Sequence, residues 1–275
     1  MTLAFLFGLH TAAPSGGSGQ DPFEYLFAHV LPYRIGEVSM FGMALPVYNL
    51  QLFQLGAIAM IFLSFAGTAR AVRTNQGGIV ARVTAGWIDW LRKDVVYPAL
   101  NKKDADRLMP MFISLFFFIL FMNLFGLVPF GATATSSVYV TGGLAAITLV
   151  MMIVGGLIAQ GPIRFWTSLV PSGVPGWLWG WLFVLEIAGL FIKPFALMVR
   201  LFANMLGGHL VILSFVALAF YFGSQNFALG LAVAPISIGM SVFMMIIEGF
   251  IALLQAYIFT LLSVMFISMC MHPDH

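Results

Sequence analysis

Apolar positions in this 275-residue chain fall in long unbroken runs, with little of the alternation of a strand or the one-sided stripe of a soluble helix. Runs of about 20 apolar residues have the length of a membrane-crossing helix. They cover 47–69, 109–130 and 142–160. Two further runs, 182–222 and 229–271, hold about 40 residues each, or about 60 Å as helix, roughly twice the hydrocarbon thickness. Each is either a pair of spans or one helix lying steeply tilted. The only clear turn between them is GSQN at 223–226. Counted as one traverse each, they predict an all-α integral membrane protein with about five crossings, the last two forming a hairpin. Residues 47–275 then make a single membrane domain. The stretch 79–100 reads as an amphipathic interfacial helix anchored by Trp87, Trp90 and Tyr97. Residues 161–181, with Pro162, Pro171 and Pro175, return to the same side. Residues 1–46 form an amino-terminal outer-side segment with a flexible tether at 14–20 (PSGGSGQ). Its opening MTLAFLFGLH lacks the basic residues of a cleaved signal.

Composition agrees with this class. The chain is 61% hydrophobic and 8% charged, against about 25% charged in ordinary soluble domains, so it cannot coat itself with polar surface in water. Arg70, Arg73, Arg82, Arg92, Lys93, Lys102, Lys103 and Arg107 crowd one interval between spans. That places the interval on the cytoplasmic or matrix side, with the amino end outside and the carboxyl end inside. A net charge of +2 gives no reason to expect nucleic acid. The single cysteine, Cys270, excludes an internal disulfide or a cysteine metal cluster. No cofactor or metal is expected. No GxxxxGK[ST] motif occurs, so nucleotide is not bound by that route.

The polar residues inside the two longest runs carry the chemistry. Arg200 is the one charged residue between 195 and 247. At bilayer depth an arginine costs roughly 2.5–3.5 kcal/mol even on lenient scales, and it cannot discharge itself. Its counter-charge is not close by in sequence, which points to a partner on another chain. Glu186, Lys193 and Arg200 recur every seven residues and so share nearly one helix face. Ala203 and Gly207 continue that face, and Asn204 follows one turn on. Glu248 and Gln255 are also seven apart. His209 faces away from the arginine stripe. Structural alternatives stand beside each reading. Arg200 pairs with Glu248 inside the bundle, His209 is a hydrogen-bonded core residue, Asn204 and Gln255 join helices, and Glu186 and Lys193 snorkel to the interface.

Three segments resemble a known family. KPFALMVRLFANMLGGHL (193–210), EGFIALLQAYIFTLL (248–262) and MNLFGLVP (122–129) are similar, in family order, to blocks of subunit a of F-type ATP synthases, the stator proton-channel subunit. The amino-terminal 45 residues match loosely. The resemblance implies two steeply inclined helices curving around a rotating ring of c subunits, with peripheral stalk b subunits and other Fo subunits as further partners in the bilayer. It implies that Arg200 faces the ring carboxylates and that Asn204 and Gln255 lie beside it. His209 and Glu248 would occupy the outer half-channel, and Glu186 the inner one.

The chemistry fits that division of labour. A proton relay needs groups that titrate near working pH, which suits His209 and Glu248. A permanent cation blocks short-circuiting, and a leaked proton wastes about 2.3 kcal/mol per 100 mV. Such a chain moves protons without acting on ATP, which is the work of other chains. The expected location is the bacterial plasma membrane, with the mitochondrial inner membrane as the alternative and proton preferred over sodium. The rival functions are a secondary transporter or channel with a midplane charged site, and a purely structural membrane subunit.

Overall fold

The computed structural model describes residues 34–40, 43–74, 78–127, 134–170 and 174–272. The tether at 14–20 and the end of the MNLFGLVP block therefore lie outside the described residues. Two short strands, β1 (Arg34–Met40) and β2 (Met43–Tyr48), pair antiparallel with Val38 opposite Leu45. The helices follow as α1 (Asn49–Thr74), α2 (Ile79–Trp90), α3 (Lys102–Leu127), α4 (Val138–Gln160), the short α5 (Pro162–Thr167), α6 (Gly176–Gln225) and α7 (Phe227–Met271).

Among the described residues five helices are long and apolar enough to cross a membrane, namely α1, α3, α4, α6 and α7. The membrane-crossing part is therefore all-helical, and the chain is a multi-pass membrane protein with α6 and α7 as its two long final helices. In hydrocarbon every backbone group must bond within its own segment, which is why unbroken apolar runs become helices. The interfacial stretch differs from a single helix over 79–100, because it ends as a π-helical turn, Leu91–Val96. The wider turn buries Leu91, Val95 and Val96. Trp87 and Trp90 are also more than interface anchors. Trp87 stacks on Phe116 at 5.5 Å, and Trp90 lies 5.2 Å from Tyr257.

The chain divides into two compact units. One gathers residues up to 59 with 119–138 and 201–255. Its core includes Ile119, Met122, Leu201, Met205 and Ala252. Buried Asn123 accepts a hydrogen bond from Thr135 at 2.8 Å and donates to the Ala252 carbonyl at 3.4 Å. The turn between α6 and α7 is a single residue, Asn226, whose side chain accepts from the Ala228 N–H at 2.9 Å. Beside it, a Cβ on Gly230 would meet the Gly223 Cα at 2.5 Å, so two glycines let the backbones touch.

The other unit gathers 60–118, 139–200 and 256–275. Phe112, Phe116, Phe165, Phe259 and Ile267 are fully buried in it. Gly156 admits the Phe165 ring and the Cys270 carbonyl, and Gln160 donates to that carbonyl at 2.7 Å. The end of α7 is held by Ser268 donating to the Ala99 carbonyl and by His272 at 2.9 Å from Asp104.

Candidate proton-path residues on the two long helices

In the unit containing 201–255, α6 and α7 bring four of the expected residues into two pairs. Asn204 donates to the Gln255 side-chain oxygen at 3.0 Å. His209 Nε2 lies 3.8 Å from Glu248 Oε1. Gln255 and Glu248 are 2% and 3% exposed, because the seven-residue spacing puts both on the face of α7 that packs on protein. The Gln255 Nε2 and both Glu248 carboxyl oxygens have no hydrogen-bond partner among the described residues. Buried polar atoms of that kind are uncommon and call for water, an ion or a chemical role.

The approach of His209 to Glu248 requires α7 to run further than α6. Between the Gly223–Gly230 contact and the Asn204–Gln255 bond, α6 uses 19 residues and α7 uses 25. The difference is about 9 Å of helix, so the two helices cannot lie as straight parallel rods. Counting residues from the turn leaves His209 and Glu248 at different depths, and this stagger removes the offset. Gly208 completes the fit. A Cβ there would stand 2.7 Å from Glu248 Oε1, so the missing side chain is the space the carboxyl occupies. Sequence reasoning did not single out Gly208, and only the pairing of positions 40 residues apart on the two helices reveals it.

Arg200 belongs to the unit containing 139–200. It is exposed midway along α6, and among the described residues it makes no hydrogen bond or ion pair. Phe191, Phe195, Val199 and Ala203 are exposed near it. The structural reading of Arg200 as half of an internal ion pair thus finds no support. Lys193 sits with its ammonium 5.8 Å from the centre of the Phe266 ring, a cation–π contact that fits a structural role. Glu186 is half-buried on the same helix.

Chemically, the His209–Glu248 pair can take up and pass on a proton after a small rotamer change, since 3.8 Å is just beyond hydrogen-bond distance. Arg200 can attract an anion brought to the surface of α6. Among the described residues no cluster of His, Cys, Asp and Glu has the makings of a metal site.

Most of the chain matches known proteins. A model of the family described as ATP synthase A chain matches residues 51–268. The chain is 37% identical over 248 residues to the ATP synthase subunit a of Anaeromyxobacter sp. (strain Fw109-5), covering 89% of this chain and 58% of that protein. It is 37% identical over 242 residues to the ATP synthase subunit a of Chloroherpeton thalassium, covering 87% of this chain and 70% of the relative. The corresponding protein of Myxococcus xanthus is 36% identical over 223 residues, 79% of this chain and 71% of the relative. The chain thus spans little more than half the length of the Anaeromyxobacter relative. A match over residues 51–268, which reaches every long helix, shows that the chain belongs to the ATP synthase A chain family.

Proposed function

We propose that this chain is the stator subunit a of a bacterial F-type ATP synthase and carries the two proton half-channels that couple proton flow to rotation of a c-ring. The observation that carries the reading is the contrast on α6. Arg200 is left exposed without a counter-ion among the described residues, whereas half-buried His209 lies 3.8 Å from buried Glu248. A cation with no internal partner suits an anionic carboxylate arriving on another chain, and the buried pair suits proton delivery. Asn204 and Gln255 then orient side chains near that carboxylate, and Glu186 serves the inner half-channel. The partners are the ring, the peripheral stalk b subunits and the other Fo subunits, in the bacterial plasma membrane. Relatives named ATP synthase subunit a support membership of an Fo complex.

The test is Arg200→Ala in the whole synthase reconstituted into vesicles. Proton-driven ATP synthesis and ATP-driven pumping should both vanish while the complex still assembles. Arg200→Lys should fail as well, because a point ammonium lacks the forked geometry of guanidinium. Retained coupling in Arg200→Ala vesicles would refute the reading.

A further inference from the structure

The part of the MNLFGLVP block that lies on α3, residues 122–127, faces two helices at once, and the proton chemistry proposed above uses none of it. Phe125 turns to α1, where its ring lies 6.4 Å from the Phe53 ring and 3.5 Å from the place of a Cβ on Gly56. Asn123 and Leu127, one turn apart, turn to α7. A Cβ on Gly249 would stand 3.4 Å from Leu127 Cδ1, and Asn123 Nδ2 donates to the Ala252 carbonyl at 3.4 Å. Going up α3 from 123 to 127 goes back along α7 from 252 to 249, the register of antiparallel neighbours. All these residues belong to one compact unit.

Asn123, Thr135 and Ala252 are 1%, 0% and 0% exposed. A carbonyl only accepts, so the amide nitrogen must face Ala252, which leaves the amide oxygen to take the Thr135 hydroxyl at 2.8 Å. The orientation of the amide thus has one solution. The α7 surface it meets is smooth, since Gly249 and Ala252 offer only a hydrogen and a methyl. Apolar packing on such a surface tolerates a small slip along the helix, whereas a hydrogen bond is directional, and a fraction of a turn would strand the buried amide. A slip of a whole turn, about 5.4 Å, is barred differently. It would bring Met245 or Leu253 against Leu127 in place of Gly249. Glu248 lies one turn from Ala252 on the same helix, with Oε1 2.7 Å from the place of a Gly208 Cβ and 3.8 Å from His209 Nε2. Its carboxyl oxygens make no hydrogen bond among the described residues, so its height is set from elsewhere on α7.

We propose that Asn123, oriented by Thr135, is a positioning residue that fixes the height and roll of α7 at which Glu248 fits over Gly208 beside His209. This rests on the reading of the chain as a proton-translocating stator subunit, in which Glu248 is the group being placed. Asn123 acts through the α7 backbone and carries no proton itself. One rival reading makes the amide simple glue between two helices. The other makes it a direct partner of the moving proton.

The experiment uses the whole synthase in vesicles and reads proton pumping per assembled complex against pH. Asn123→Leu keeps the volume and loses both hydrogen bonds. It should slow pumping by about fivefold, the rate equivalent of one lost hydrogen bond, and move the pH midpoint by about half a unit, roughly a threefold change in proton affinity. Thr135→Val should move the midpoint in the same direction, although it removes nothing that touches Glu248, and it carries the test if Asn123→Leu does not assemble. Thr135→Ser keeps the hydroxyl and should keep the parental profile. Asn123→Leu combined with Gly208→Ala should pump no more slowly than the slower single variant, since both act through the placement of Glu248. An unchanged midpoint in both Asn123→Leu and Thr135→Val, with only the yield of complex reduced, overturns the proposal in favour of glue. A parental profile in Thr135→Val beside an inactive Asn123→Leu overturns it in favour of direct proton contact. Rate losses that multiply in the double variant overturn it as well. If Arg200→Ala abolishes coupling while these variants behave as the parent, this inference alone falls. If Arg200→Ala still couples, the functional reading falls with it.

Discussion

Gly208 is the residue at which activity and stability should part. Its substitution by alanine places a methyl 2.7 Å from Glu248 Oε1, the free end of a flexible side chain. The carboxyl can swing away at little cost, and alanine in place of a helical glycine contributes up to about 1 kcal/mol. Gly208→Ala should therefore leave thermal stability unchanged or slightly raised while proton pumping falls, as melting and vesicle assays on one preparation would register. A second residue-scale prediction concerns Tyr97, whose O–H donates to Asp106 at 2.8 Å. That hydrogen bond holds the phenol above its ordinary range. A folded-state value above the unfolded one means the contact stabilises below about pH 10 and is lost as pH rises through the folded value. Asp106→Ala should move the phenol back toward its ordinary range in a difference absorbance titration. Arg200, His209 and Glu248 stand out in the sequence because charge in an apolar run is costly and the family blocks contain all three. Gly208 does not, and Tyr97 does so only as an interfacial anchor, since the partner of each is one that folding brings to it.

At the scale of elements, run length anticipated five long apolar helices among the described residues, and the two longest runs are single helices of 50 and 45 residues. Composition cannot distinguish an α-helical turn from a π-helical one, so the change at Leu91–Val96 left no mark in the sequence. The hairpin of β1 and β2 was also missed, because Gly36 and Pro46 obscure any strand pattern. The stagger of α6 against α7 depends on side-chain size where the helices meet, above all at the turn. There the two glycines are unequal. A Cβ on Gly230 meets the Gly223 Cα at 2.5 Å and its nitrogen at 3.0 Å, whereas one on Gly223 meets only the Gly230 Cα, at 3.9 Å. Backbone cannot step aside as a side chain does. Gly230→Ala should thus destabilise by about 1–3 kcal/mol through overpacking, with Gly223→Ala close to neutral, in thermal melts of the purified complex. Equal losses at the two positions would show that the helix ends do not meet in this way.

For the whole molecule, the question is which exposed surface meets lipid and which meets protein. Exposed apolar side chains occur on all five long helices, as expected where hydrocarbon replaces water. The stripe of α6 around Arg200 differs because it sets a cation, unpaired among the described residues, and the small Ala196 and Ala203 among exposed Phe195 and Val199. Small residues let another helix approach closely, and a cation near them makes an anionic partner helix the fitting neighbour. Sequence pointed to a partner on another chain, and the family blocks alone made it a ring of c subunits. If the ring slides past this stripe, Ala203→Cys in a Cys270→Ala background should form a disulfide with a cysteine placed one turn from the ring carboxylate. Ala217→Cys, on the same helix but fully buried, should not. Cross-linking under mild oxidant, read as an a–c product on a gel, separates the cases. Equal yields at 203 and 217, or none at 203, would place the ring on another face and leave the exposure of Arg200 to be explained by lipid headgroups instead.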